Sequence, residues 1–414
     1  MPPVVDEPTW GHFSNPSECA ACHPDHAAQW EMSPHAYAAV DPVFRAMLRL
    51  GQRETEGELD QFCTRCHSPF AVRTEQTPVV QTPDGHDQPL EALGPIARAG
   101  VSCDVWHTAV SLGGDDLLQL DRGRVRWAGI EDPVPNSGHD SAASPLQQRS
   151  NLCGACHDVE LDGLMLERTF SEWLSVSGVG QCQQCHMPTR RGRAAKDGPE
   201  REVHDHTFVG VDVSLLPPEQ FPGYEQLRAL SRQLLQEQSV RLAVDHEPAF
   251  GRLTVGITNL AGHALPSGAT ADRQLWVEVR VFDDAGQVRF ASGTLDARGD
   301  LRDGDPSHTL EPGSDPQLMV FRQRLLSHEG EVHFPWQASS LEDNLIDARE
   351  TAEVHYVLGA LPPGEYEAVV RLRIRAFPPY LLRLLEEEAE LSPDVAPRMP
   401  VVDMATIRES VIVR

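Results

Sequence analysis

Four short stretches of the chain repeat one pattern. Cys19-Ala-Ala-Cys22-His23, Cys63-Thr-Arg-Cys66-His67, Cys153-Gly-Ala-Cys156-His157 and Cys182-Gln-Gln-Cys185-His186 all read Cys-x-x-Cys-His. From the cysteine and histidine frequencies, roughly 0.01 such matches are expected by chance. The pattern suits one chemistry. Two cysteine sulfurs add to the vinyl groups of a porphyrin as thioethers, the two-residue gap sets their separation, and the adjacent histidine binds the iron. A zinc ribbon or a redox dithiol also uses paired cysteines, as at Cys153 and Cys182. Neither explains why histidine follows the second cysteine every time. The expectation is four covalent haem c groups on Cys19, Cys22, Cys63, Cys66, Cys153, Cys156, Cys182 and Cys185, with His23, His67, His157 and His186 as proximal iron ligands.

These sites need a scaffold, and the composition changes where they end. All nine cysteines lie between Cys19 and Cys185. Among the motifs the chain is rich in Pro, Gly, Ser and Asp, with few periodic apolar runs, so the porphyrins themselves are expected to supply core. Ala27 to Leu50 is helical in character, interrupted at Pro34 and Pro42. Tyr224, Leu227, Leu230 and Leu234 recur at helical spacing and predict a connecting helix. Beyond Ser239 the period is two: Leu275, Val277, Val279 and Val281 share one face, and so do Tyr366, Ala368, Val370, Leu372 and Ile374. The predicted fold class is α+β multidomain. A loop-rich, mostly helical tetrahaem domain spans 1–212, a connecting helix 213–238 and a β-sandwich 239–414, with a short helical insertion near 380–388.

The motifs and their flanking residues resemble the multihaem cytochromes of the c-554/c-prime type. Cys19-Ala-Ala-Cys-His-Pro is followed by Trp30-Glu-Met-Ser-Pro-His35-Ala, and Cys153-Gly-Ala-Cys-His-Asp by Phe170-Ser-Glu-Trp-Leu. Cys182-Gln-Gln-Cys-His-Met-Pro then leads to His206-Thr-Phe-Val-Gly. The likeness continues through Asn259-Leu-Ala-Gly-His-Ala-Leu-Pro-Ser-Gly268 and Arg273-Gln-Leu-Trp276, similar to the β-domain found after such haem modules. The resemblance implies His35 and His206 as distal ligands, and His139, a dozen residues before the third motif, as another. His204 competes with His206. His263 sits in the Gly-His-x-Leu-Pro-Ser-Gly turn, where it either bonds its own loop or serves a haem; His12 and His246 are weaker candidates. His26, one turn after His23, reads as a surface residue.

Gly100-Val-Ser-Cys-Asp-Val-Trp-His-Thr108 is one residue short of a fifth motif, because Trp106 stands where a second cysteine would be. Related proteins carry an intact motif after Gly-Val-Ser-Cys. The expectation is a site that lost its haem, with Trp106 filling part of the volume and His107 free to act as a distal ligand. No fifth haem is expected at Cys103, Trp106 and His107.

The formal charge of −27, from 62 acidic against 35 basic residues, disfavours nucleic acid and anionic membrane and favours basic docking partners. No apolar run is long enough to span a bilayer. Haem c is attached outside the cytoplasm, so a periplasmic or extracellular location is expected, with any signal peptide already removed. The leading reading is an electron carrier of a respiratory or extracellular chain that works with redox partner proteins. One alternative is an oxidoreductase that reduces a small nitrogen or sulfur oxyanion at an iron with an open sixth position. Another is a structural haem-bearing subunit of a homo-oligomer or filament, assembled through sheet edges.

Overall fold

The computed structural model describes residues 13–76, 93–113, 117–305, 308–309, 313–359 and 361–413. His12 lies outside them. The chain forms two compact units. One comprises Met1–Asp158, Gly180–Leu230 and Glu387–Ser392, the other Val159–Val179, Ser231–Glu386 and Pro393–Arg414.

Proline organises the start of the first unit. Helices α1 (Pro16–Ala20), α2 (Pro24–Glu31), α3 (Pro34–Tyr37) and α4 (Pro42–Glu54) each open on a proline. At the first helical position its fixed φ is already helical and its missing N–H would have had no partner. Thus Pro34 and Pro42, besides interrupting one apolar stretch, begin new helices in new directions. Side chains cap three of the four: Asn15 accepts from the N–H of Ser17, Ser33 from Ala36 and Asp41 from Val43. Val43, Ala46 and Leu50 bury one face of α4.

Then come α5 (Thr64–His67), α6 (Pro69–Arg73), α7 (Cys103–His107), α8 (Asn151–Gly154), α9 (Thr169–Ser175) and α10 (Cys182–His186). Short strands join them. β1 (Ala109–Leu112) pairs with β2 (Leu118–Leu120), and β3 (Val125–Ala128) lies parallel to β4 (Asp140–Ala143). β5 (Val159–Leu161) pairs with β6 (Leu164–Glu167), and β7 (Thr189–Arg193) with β8 (Glu200–His204). The apolar core of this unit is small. Phe13, Phe70, Ile96, Val101, Val105, Ala109, Leu118 and Leu152 form one cluster, and Met32, Tyr37, Val213, Phe221 and Leu227 another.

Helix α11 (Tyr224–Glu237) has residues in both units. The second unit is antiparallel β-sheet. β9 (Val240–Glu247), β10 (Arg252–Asn259) and β16 (Thr351–Val357) form a three-stranded sheet with β10 in the middle. β11 (Gln274–Phe282), β12 (Val288–Ser292), β13 (Val320–Ser327), β14 (Gly330–Val332), β15 (Ser340–Asn344), β17 (Gly364–Arg375) and β18 (Val402–Val413) form a seven-stranded one. Helix α12 (Pro379–Ala389) stands between β17 and β18.

Leu275, Val277, Val279 and Val281 are fully buried, as their alternation predicts, but so is the opposite face of β11, with Trp276 and Glu278. Glu278 is held there by Arg371 and Arg373, each at 2.7 Å, and by Arg280 at 3.1 Å.

Residues Val159–Val179, which the sequence reading put in the haem domain, cluster with the β-rich unit. Hydrogen bonds account for this. The Glu172 carboxylate accepts from the Ala264 N–H at 3.0 Å and the Ser267 hydroxyl at 3.1 Å, and Thr169 bonds Ser267 and the N–H of Gly268.

Candidate functional site

Each Cys-x-x-Cys-His stretch is one helical turn. The N–H groups of His23, His67 and His157 donate to the carbonyls of Cys19, Cys63 and Cys153 at 2.8, 3.2 and 3.0 Å, while Cys182–His186 is α10 itself. At 3.6 residues per turn, positions i, i+3 and i+4 share one side. Both sulfurs and the imidazole of a motif therefore face one flat partner together.

The rings are oriented by backbone. Nδ1 bonds a main-chain carbonyl in His23 (Ala194, 2.5 Å), His67 (Ala38, 3.2 Å) and His186 (Val209, 2.6 Å). A carbonyl only accepts, so Nδ1 carries the proton and Nε2 keeps its lone pair for a metal.

The distal candidates can be tested by distance. Two imidazoles on one metal have bonds of about 2.0–2.1 Å, and adding roughly 1.1 Å from nitrogen to ring centre puts the centres about 6.2 Å apart. The rings of His23 and His139 are 6.1 Å apart with planes 21° from parallel, and those of His157 and His35 are 6.4 Å apart at 50°. Both separations fit an iron. His139 owes its place to the parallel β3–β4 pairing just after it, and to Asn136, whose side chain accepts from the N–H groups of Gly138 and His139. His35 lies in α3. Burial pushes it down to about 3, so its ring is neutral, and its Nδ1 is buried with no hydrogen-bond partner among the described residues. A neutral imidazole with a buried nitrogen lacking a partner suits a metal ligand.

A third pair has the same spacing. His107 and His206 are 6.3 Å apart with planes 21° from parallel. Burial pushes both rings below the usual histidine range, and Nδ1 bonds a carbonyl in each: Trp127 at 2.7 Å for His107, His204 at 2.9 Å for His206.

Helix α7 is fixed by Asp104, only 1 % exposed, which takes both ends of the Arg126 guanidinium at 2.7 and 2.8 Å and the N–H of Ser14 at 2.6 Å. Upstream, Gly100 has φ of +62°, and a Cβ there would come within 2.3 Å of the His35 carbonyl oxygen. The same oxygen accepts from the N–H of Val101 at 3.0 Å, locking α3 to the approach of α7.

His204, on β8, bonds the Met187 carbonyl through Nδ1 at 2.6 Å. His263, in the β-rich unit, bonds its neighbour Ala264 through Nδ1 at 2.9 Å, and the buried Asn259 braces its carbonyl at 2.8 Å. His246 lies on β9. Sequence reasoning missed His26 and two phenylalanines. His26 has a buried Nε2 and a ring 4.5 Å from that of His206, so it belongs to the cluster and not to the surface. Phe44 stacks on His67 at 4.0 Å, and Phe208 packs edge-on to His35 at 4.3 Å. The signal for Phe44 was its place one residue from Val43 on the amphipathic α4.

Residues 18–108, which contain two of the motifs and the stretch at Cys103, match the family of cytochrome c554 and c-prime. This is a multihaem c-type cytochrome. It carries electrons on covalently bound haem c. A similar solved structure is the penta-heme cytochrome c552 from Thermochromatium tepidum, at 21% identity and a TM-score of 0.67 over 98% of this chain and 100% of that one. The cytochrome shares that fold along its length, β-rich unit included. None of the curated proteins matches it. No described helix of the cytochrome is long and apolar enough to cross a membrane.

Proposed function

We propose that the cytochrome is an electron carrier in which the four Cys-x-x-Cys-His motifs each hold one haem c. His23 and His139 would hold the first iron, and His157 and His35 the third. His67 and His186 are the proximal ligands of the remaining two. What supports this most is the spacing of the two ring pairs, 6.1 and 6.4 Å, which is that of two imidazoles on one metal. Haem supplies the redox change. The chain holds the His23, His67 and His186 imidazoles in one tautomer, excludes water with rings such as Phe44 and Phe208, and keeps the groups close enough for electron exchange.

The two antiparallel sheets are read as the halves of a sandwich, with every second residue of β10 turned inward. Export to the periplasm or the cell exterior follows from the attachment chemistry, and the net charge of −27 suits partners with basic docking faces. The test is the reduced cytochrome under carbon monoxide, which binds irons with an open or weakly held sixth position. A carrier with both faces of every iron ligated gives no spectral change. A change amounting to one haem per chain would move the reading to a reductase.

A further inference from the structure

The stretch at Cys103 has lost one sulfur, but the structure keeps the rest of a haem site there. Three observations converge. First, His107 and His206 stand 6.3 Å apart, within the range of the pairs at the first and third motifs. Second, His107 occupies the last position of a helical turn that starts at Cys103 and has its Nδ1 bonded to a carbonyl, as His23, His67 and His186 do.

Third, the sulfurs repeat a relation seen between two intact motifs. Cys103 lies beside Cys19 as Cys153 lies beside Cys182. Cys103 thus stands to the first motif as Cys153 stands to the fourth. The indole of Trp106 packs against His35 at 5.4 Å and Phe208 at 6.4 Å.

We propose that the cytochrome carries a fifth haem c at this site, its iron between His107 and His206 and its porphyrin joined to the chain by one thioether, through Cys103. The attachment balances without an external oxidant. The S–H of Cys103 adds across one vinyl group, an S–C and a C–H bond form, the S–H and the vinyl π bond break, and no atom or electron leaves. The second vinyl group, for which Trp106 offers no sulfur, stays intact. His206 is then the distal ligand of this iron. The inference rests on the reading that the four intact motifs hold haem.

The test is the mass of the whole chain under denaturing conditions, after expression in a host that attaches haem c, with a peptide map of the digest. The expected result is the chain plus five haems, with one on the peptide containing Cys103. Cys103→Ala then retains four, the fifth becoming extractable into acidified organic solvent. Trp106→Cys retains five and moves the fifth haem's reduced pyridine band to the shorter wavelength of a two-thioether haem. A chain with four haems and Cys103 as a free thiol, or in a disulfide with Cys19, overturns the proposal and leaves the four-motif reading standing. Unmodified peptides at the four intact motifs would remove both.

Discussion

Replacing His139 with alanine tests the ligand geometry where it is least entangled with folding. The ring centres of His23 and His139 are 6.1 Å apart. Subtracting roughly 1.1 Å at each end leaves about 3.9 Å between the nitrogens, two metal–imidazole bonds of about 2 Å. Alanine leaves one side of that iron with no protein ligand. The loop keeps its backbone bonds, because the acceptor for the N–H groups of residues 138 and 139 is the Asn136 side chain. The loss of chain stability is therefore that of a surface substitution, within about 0.5 kcal/mol, apart from the iron bond itself. The reduced variant is expected to bind one carbon monoxide per chain. The absorbance change then equals one haem, a quarter of the total with four haems and a fifth with five. Its electron paramagnetic resonance loses one low-spin signal when oxidised. No carbon monoxide uptake, with every low-spin signal intact, refutes the assignment and with it the use of ring spacing to find ligands.

Gly100→Ala drives a Cβ to 2.3 Å from the His35 carbonyl oxygen at a φ of +62°. Its cost is about 1–3 kcal/mol, read as an earlier loss of the haem-region circular dichroism in denaturant. Glu278→Gln strips the charge from a buried site facing three arginines and costs about 3–5 kcal/mol, seen in the unfolding of the β-rich unit while the haem spectrum is unchanged. Burial pushes Asp41 up to about 6 from 3.8. Because the folded carboxyl holds its proton more tightly than the unfolded one, its contribution to stability is complete below about pH 4 and is lost as the pH rises through 6. Asp41→Asn keeps a capping acceptor for Val43 and removes this slope, so the variant's stability changes less than the wild type's between pH 4 and 7.

The motifs were readable because a thioether pair and its histidine fit within five consecutive residues. The strands were readable where alternation is strict, as at Leu275–Val281 and Tyr366–Ile374. Ligand pairing was not. His23 meets His139, and His107 meets His206, across about a hundred residues, and nothing local to a histidine says which ring it faces. The resemblance pointed to His35, His139 and His206, yet only the fold places the His206 ring 6.3 Å from that of His107. The membership of Val159–Val179 was hidden for a different reason. It rests on Glu172 and Thr169 bonding a turn more than ninety residues away, and polar contacts of that kind leave no periodic trace.

The carbonyls that hold His23, His67, His107 and His186 have a consequence for how the cytochrome exchanges charge with its surroundings. A main-chain oxygen has no proton to gain or lose in the range where proteins live. A histidine bonded to it cannot pass its ring proton along when its iron changes valence. The electron would then move without a proton travelling beside it, and the potential of an iron held by such a ring would be insulated from external pH through that ligand. The arrangement is also hard to mutate away, since no side-chain substitution deletes a peptide oxygen. The same holds for His206, whose Nδ1 bonds the His204 carbonyl, and for His139, whose Nδ1 bonds that of Asp140.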